Sequence, residues 1–329
     1  MSINEILDYL CSKPVTIAFH DDADGVYSAA LVSTAIKVID AVSPSNFGNY
    51  IYMVDEETGK NTYVDLGLDL GMPLDKDFHG IVIDHHPPEM PEKDRQFNLI
   101  WNNIPTTGIV YELLKDKIPD EHKWKVVGGL LGDGQVALTP DEIWDNNTFL
   151  FERRSSIYKS RYNKISEYAY PVYKLLSSPV NAMCRLGSAV EALNIVLRAK
   201  SPLDILTNKA MESDMELIGN DENEVWGKKG LRAIQINRDI SIVKIDSKYK
   251  QASRVASKLR AMNGNITWII INSQTKHISL RGELAKYVAN KLSSYGIKVG
   301  GHSGYCGGSL EKDQSTRDVI EILRKTVSW

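Results

Sequence analysis

The 329-residue chain has only three cysteines, Cys11, Cys184 and Cys306, an odd and scattered set without metal-finger spacing. That excludes a disulfide framework and a cysteine-based zinc site, and leaves thiols in a reducing compartment as the expectation. No apolar run approaches the ~20 residues that cross a bilayer. The opening MSINEILDYLCSKP is amphipathic and carries acids, unlike a signal peptide. A cytoplasmic protein with no membrane partner is therefore expected. Low-complexity stretches are scarce too, and 43% hydrophobic with 25% charged residues is an ordinary globular composition. At this length two domains are the better expectation.

What is present is unevenly distributed. Net charge is −3, yet Ile236 to Trp329 holds 16 Lys/Arg against seven Asp/Glu, so that segment carries +9 and the remainder −12. A basic C-terminal module beside an acidic N-terminal one suits polyanion binding by the first and metal binding by the second. Chance imbalance on solvated faces is the plain alternative.

Hydrophobic patterning predicts an α/β fold. Strands are expected at Pro14 to His20, Ile51 to Val54, Thr62 to Gly67, Gly80 to Asp84 and Phe97 to Trp101, with an apolar helix in VYSAALVSTAIKVI. The economical arrangement is a mostly parallel sheet covered by helices. From about Pro105 the pattern turns helical, with a loop expected near Asp141 to Asn147. Strands return at IQINRDISIVKI, ITWIIIN and HISLRG, with helices around Ala252 to Met262 and Glu283 to Leu292. The expected organisation is a catalytic domain over 1–195, a helical linker over 196–232 and a smaller α/β domain over 233–329.

Acids and imidazoles gather where the strands end. After the first strand stands His20-Asp21-Asp22-Ala23-Asp24-Gly25, where period two places His20, Asp22 and Asp24 on one side. In open α/β sheets ligands sit beyond the C-terminal strand ends. Clustered carboxylates repel unless a cation compensates them. Asp65 closes the run TYVDLG, and GIVID leads into Asp84-His85-His86-Pro87. Carboxylate plus imidazole suits manganese, and two metals about 3.5–4 Å apart can clamp a phosphate while activating a water. Singly, each has a plainer reading: a solvated acidic loop, a helix cap at Asp65, a surface His pair.

Together these segments resemble the DHH phosphoesterase superfamily. HDDADG matches its first motif, in a form similar to archaeal members, Asp65 its second, Asp84-His85-His86 its third, and Asp133 in GGLLGDG its fourth. The stretch Ser178 to Gly187, SPVNAMCRLG, is similar to the segment that follows the DHH domain in RecJ-type exonucleases. Near the C-terminus, Gly300-Gly301-His302 resembles the GGH motif of the DHH-associated domain, and Ser279-Leu280-Arg281 its phosphate-binding strand. This chain carries Tyr305-Cys306 where that family usually has a small residue. Six segments in the family's order span Ile17 to Ser309.

The resemblance implies a two-metal site of manganese or magnesium held by Asp22, Asp24, Asp65, Asp84, His85 and Asp133. His20 would be a further ligand or a hydrogen-bond partner, and Asp84, His85 and His86 the catalytic motif. Asn181 and Arg185 would contact the phosphate backbone, as would Arg281, Gly300, Gly301 and His302 in the basic module. Without the resemblance, a helix cap and a surface ion pair describe Asn181 and Arg185 as well. Tyr27, Trp101, Trp268 and Tyr305 are aromatics that can stack bases, with Trp268 expected in the core and Tyr305 the better platform.

The implied activity is that of a single-strand-specific 5′ to 3′ exonuclease releasing 5′-mononucleotides from single-stranded DNA or RNA. Alternatives are a phosphodiesterase of short oligonucleotides or cyclic dinucleotides, and a scaffold for replication or repair proteins.

Overall fold

The computed structural model describes residues 2–43, 52–54, 61–70, 78, 80–88, 91–155, 169–227 and 231–327. It divides into two units, Met1–Glu216 and Leu217–Trp329.

The N-terminal unit opens with α1 (Ile3–Ser12), fixed by a capping box in which Ser2 and Glu5 satisfy each other's backbone N–H. There follow β1 (Val15–Phe19), α2 (Ala23–Ala35) and β2 (Val38–Val42). A small antiparallel pair, β3 (Tyr52–Val54) with β4 (Asn61–Tyr63), precedes β5 (Leu66–Leu68), β6 (Ile81–Asp84) and β7 (Asn98–Trp101). Five strands form a wholly parallel sheet in the order β2-β1-β5-β6-β7. Such sheets are covered on both faces. Ile17, Leu66, Leu68, Ile81 and Ile83 pack into the main core with α2, while Ala18 and Val82 join Val64, Leu70 and Phe78 on the other side.

Helices complete this unit: α3 (Thr106–Leu114), α4 (Lys125–Gly132), α5 (Asp141–Asn146), then α6 (Ser177–Arg185), α7 (Ala189–Arg198), α8 (Pro202–Leu206) and α9 (Lys209–Gly227), with a short pair β8 (Arg153–Ser155) and β9 (Ala169–Pro171) before α6. Close approach of α4 depends on its glycines. Gly128 lies against the Tyr27 ring, Gly129 against Thr107 and Gly132 against Ala23, each so near that a Cβ would collide.

The C-terminal unit takes in the end of α9 and then β10 (Ala233–Asn237), β11 (Ile240–Ile245), α10 (Ala252–Met262), β12 (Thr267–Asn272), β13 (His277–Arg281), α11 (Ala285–Ser293), β14 (Lys298–His302), β15 (Tyr305–Ser309) and α12 (Thr316–Thr326). Its six-stranded sheet runs β10-β11-β12-β13-β15-β14, parallel between β11 and β12, which α10 connects, and antiparallel elsewhere. Strand alternation sorts the core: Ile269, Ile271, Ile278 and Leu280 pack with α11 and α12, and Trp268 and Ile270 with Val255 and Leu259 of α10. Buried Glu222 of α9 pairs with Arg254 at 2.6 Å and with Lys258, and Asp221 accepts from Ser247 and Gln251.

The α/β class and the parallel first sheet agree with the sequence expectation, and four local readings change. Val38 and Ile39, assigned to the first helix, belong to β2, because Ile36 ends α2 in an extended conformation. Asp141 to Asn146 is helical: Pro140 precedes it, and Asp141 and Glu142 form the first turn, where acids complement the helix dipole. TYVDLG is two strands divided at Val64-Asp65. The glycine-rich C-terminal segment, to which sequence patterning assigned no strand, is the β14–β15 hairpin. Among the described residues no helix is long and apolar enough to cross a membrane.

Gly128→Leu should force Tyr27 and α4 apart. The expected loss is roughly 1–3 kcal/mol of stability, read as a lower midpoint in denaturant, with Gly219→Ala, at an open position of ordinary backbone conformation, as the comparison; an unchanged midpoint would refute the close-packing argument.

Candidate metal centre and substrate-binding face

In the parallel sheet β2-β1-β5-β6-β7 the order of strand addition reverses at β1, with β2 added on one side and β5, β6 and β7 on the other. Open α/β sheets form a crevice at such a switch, beyond the C-terminal strand ends. Three central strands deliver residues there: His20 follows β1, Asp69 follows β5, and Asp84, His85 and His86 end β6. The loop from His20 turns directly into α2, with the Asp22 side chain capping the helix through the Gly25 N–H at 3.0 Å. Gly25 sits against the His20 backbone with no room for a Cβ.

Seven side chains converge in three overlapping groups: His20, Asp22 and Asp69; Asp69, His85 and His86; and Asp24, His85 and Asp133. Within each group the candidate ligand atoms lie within 4.8 Å of one another. His20 Nδ1 is 2.7 Å from Asp22 Oδ2 and 3.7 Å from Asp69 Oδ2. His85 Nε2 is 3.1 Å from both Asp69 Oδ1 and Asp133 Oδ2, and 4.0 Å from Asp24 Oδ2. Asp69 is common to two groups and is held at φ 57°, a left-handed conformation that Asp tolerates better than most residues.

Buried carboxylates need compensation, and the fold supplies part of it. Asp24, wholly buried, accepts from the N–H groups of Thr106 at 2.7 Å and Thr107 at 3.0 Å, the first residues of α3. The helix N-terminus thereby offsets its charge. Thr106 Oγ1 also reaches Asp69 Oδ1 at 3.3 Å. Burial, then the charges of Asp22 and Asp24, raise the Asp69 carboxyl well above the ordinary range. Burial followed by Asp24 and Asp22 pushes Asp133 up to about 8. Burial opposes a charge on His20, yet Asp22, Asp69 and Asp21 together raise its pKa well above the usual imidazole value.

The residues fit a divalent cation. Asp69 Oδ2 is buried and has no hydrogen-bond partner among the described residues, which is costly unless a cation satisfies it. A mixed carboxylate and imidazole set matches manganese or magnesium better than a soft thiolate-preferring metal.

Two expected ligands are placed differently. Asp65 stands before β5, at the opposite sheet edge, where Oδ1 pairs with Lys13 at 2.7 Å and Oδ2 accepts from the Thr16 N–H at 2.9 Å. Asp69 at the exit of β5 occupies the place expected of it. Asp84 joins none of the three groups: alternation puts it on the Val82 face of β6, and its Oδ1 takes the His86 N–H and Nδ1, each at 2.8 Å. Its described contacts orient His86.

Of the expected substrate contacts in this unit, Asn181 on α6 accepts from the Ala23 N–H at 3.0 Å and so braces the His20–Gly25 loop. Arg185 ends the same helix. Tyr27 is buried with its hydroxyl on the Leu176 carbonyl at 3.2 Å, so it is a core residue rather than a base platform. Trp268 is buried as expected, and Trp101 is exposed at the end of β7.

In the C-terminal unit, register places Arg281, Tyr305 and His302 opposite one another across β13, β15 and β14, with Ser279, Gly307 and Gly300 in the next row on the same face. Gly307 and Gly300 leave that row bare of side chains next to Tyr305 and His302, with Ser279 next to Arg281. Gly301 adopts φ 133° and packs against Tyr305 and Cys306 too tightly for a Cβ. Arg281 Nη1 is anchored on the carbonyls of Leu280 at 2.9 Å and Cys306 at 3.0 Å. The side chain of His302 lies outside the described residues. Asp69, Thr106, Thr107 and Arg260 were not singled out by sequence reasoning; an acid closing the apolar run Leu66 to Leu68 was the available signal for Asp69.

Raised carboxyls bind protons more tightly in the folded than the unfolded chain, so the stability they contribute is present at low pH and lost as pH rises through their folded values. For Asp133 that window ends near pH 8. Metal-free protein should therefore melt lower at pH 8 than at pH 5.5, and added manganese should raise the melting temperature more at pH 8, because binding must displace those protons. Asp133→Asn should flatten the metal-free profile and diminish the manganese shift. A manganese shift that shrinks with rising pH would contradict this account.

No protein-family model matches the sequence, and neither does any curated protein. Solved structures do. RecJ from Thermus thermophilus in complex with Mn2+ aligns at a TM-score of 0.62 and 15% identity over 98% of this chain and 53% of its own, so the chain spans about half the length of that RecJ. An exonuclease RecJ bound to manganese gives 0.58 at 14% identity over 99% of this chain and 95% of that one. The DHH domain of a member of the s1p family of ribosomal proteins gives 0.63 at 13% identity over 99% and 88%. At such identities the resemblance is one of architecture, and the fold of this chain is the one found in RecJ and in that DHH domain.

Proposed function

We propose that the chain is a divalent-metal-dependent phosphodiesterase of the DHH superfamily, and more narrowly a single-strand 5′ to 3′ exonuclease that uses manganese and releases 5′-mononucleotides. The observation that carries the reading is Asp69: a buried carboxylate with an unsatisfied oxygen, shared between two groups of ligating side chains. The manganese-bound RecJ structures of the same fold support it.

His20, Asp22, Asp24, Asp69, His85, His86 and Asp133 would hold the cations. Bound there, divalent ions supply charge that polarises a phosphodiester and acidifies water. Asp24 stays fixed by Thr106 and Thr107, Asp84 orients His86, and Asn181 keeps the His20–Gly25 loop in place. The cluster is made of carboxylates and imidazoles rather than a nucleophile paired with a base, so attack by water fits it better than a covalent intermediate. In the basic unit, Arg281 with the Gly300 and Gly301 backbone would bind phosphate, with His302 added from the sequence resemblance.

Digestion of 5′- and 3′-labelled single-stranded DNA and RNA, alongside a dinucleotide, with manganese and with chelator, tests the proposal. Stepwise loss from the 5′ end of the long strand is the expected outcome. Cleavage of the dinucleotide alone would assign the chain to short substrates, and no metal-dependent cleavage would remove the enzymatic reading in favour of a scaffold.

Substitution separates the two aspartates that flank β5. Asp69→Asn should abolish metal-dependent hydrolysis, Asp84→Asn should lower metal affinity or turnover by about 10–100-fold, and Asp65→Asn should retain turnover while losing some stability. Comparable inactivation by Asp65→Asn in a folded protein would restore Asp65 to the site.

A further inference from the structure

Tyr305 is 53% exposed, on the sheet face opposite the buried Cys306. It is also held. The Arg260 guanidinium carbon lies 4.9 Å from its ring centroid and that of Arg281 5.1 Å, distances at which the aromatic quadrupole attracts a cation. Arg260 comes from α10, and its Nη1 donates to the Gly304 carbonyl at 3.3 Å. The Gly282 N–H donates to the same oxygen at 3.1 Å, immediately after Arg281. Gly304 has φ 83°, and a Cβ there would stand 3.4 Å from Arg260 Nη1. The hairpin turn, α10 and the end of β13 are thus tied together at one carbonyl, and the ring is fixed against them.

Arg260 forms no ion pair with a carboxylate among the described residues. Its charge is therefore available to a phosphate, as is the ring to a flat ligand. In the adjoining row Ser279 is buried beside Arg281 and is followed by Gly307 and Gly300, so next to the ring the sheet surface itself carries no side chain that would exclude a sugar and its phosphate. Guanidinium, exposed ring and bare backbone side by side match a nucleotide unit: phosphate, base and ribose.

We infer that Tyr305, set in place by Arg260 and Arg281, is a nucleobase-stacking platform that makes the basic unit select base-bearing strands over phosphodiesters without bases. This rests on the phosphodiesterase reading and narrows its substrate class. Stacking uses the face common to every base, so the selection is for a base rather than for its identity. Arg260 contributes twice, through attraction for phosphate and by holding the ring.

The test uses the full chain in chelator, so that strands bind without being cut. A 5′-phosphorylated pentanucleotide carrying one 2-aminopurine is compared with an abasic tetrahydrofuran pentamer of equal charge, each titrated against wild type, Tyr305→Ala, Tyr305→Phe and Arg260→Ala, with thermal melts confirming folding. Wild type should bind the base-bearing strand about tenfold or more tightly than the abasic one and quench the fluorophore. Tyr305→Ala should lose that ratio while keeping its affinity for the abasic strand, Tyr305→Phe should keep the ratio, and Arg260→Ala should weaken both ligands. A ratio unchanged in Tyr305→Ala, or an equal loss for both ligands, overturns the inference. Manganese-dependent hydrolysis is measured separately on wild type. Hydrolysis without base preference overturns the platform alone, whereas absence of hydrolysis overturns the enzymatic reading and leaves base-dependent binding through Tyr305 to stand on its own.

Discussion

Carboxylates crowded into a space that excludes water repel one another, and much else in the N-terminal unit is arranged around that repulsion. Asp24 is the clearest case: wholly buried, it is met by two backbone N–H groups at the head of α3. Hydrogen bonds to an ionised acceptor are stronger than neutral ones, so this contact both offsets the desolvation of Asp24 and fixes where α3 begins. Asp69 has no comparable provision for its second oxygen. The cluster is thus partly neutralised by protein, and the remaining Asp69 oxygen is what a cation would satisfy in the proposed metal site.

Delivery of Asp133 depends on a different constraint. Asp133 follows α4, and α4 reaches the cluster only because Gly128, Gly129 and Gly132 permit contact with Tyr27, Thr107 and Ala23. The same glycines that look like weak helix formers are thus the means by which three helices share one small volume. Tyr27 belongs to this packing rather than to ligand recognition.

Much of the site could be read in advance because acids after apolar runs mark strand exits, and in a parallel sheet the exits share one edge. That reasoning locates His20, Asp22 and Asp24 and the Asp84-His85-His86 run, and the family resemblance adds Asp133 after a helix; all lie at or beside the cluster. It fails at Asp65 because β5 is only three residues long and two aspartates bracket it. Composition cannot tell entry from exit, whereas pairing with β1 and β6 can. Asp84, also expected as a ligand, stands beside the cluster without entering any of its three groups, its Oδ1 being engaged by His86. Thr106 and Thr107 hold the Asp24 carboxylate through backbone N–H groups, which every residue but proline possesses, so that contact leaves no signal in their letters. Arg260 lies on a helix far in sequence from Tyr305, and only the tertiary fold brings it there.

The helix α9 has a consequence for handling the two units apart. The division between them falls after Glu216, inside α9, and the residues just beyond it are not spacer: Asp221 holds Ser247 and Gln251, and Glu222 holds Arg254 and Lys258. A gene fragment started at the first strand of the basic unit would discard these anchors and uncover the apolar surface that Val225 and Trp226 cover on the α10 side of the sheet. The natural starting point for recombinant production of that half lies upstream, within the helix, near Leu217.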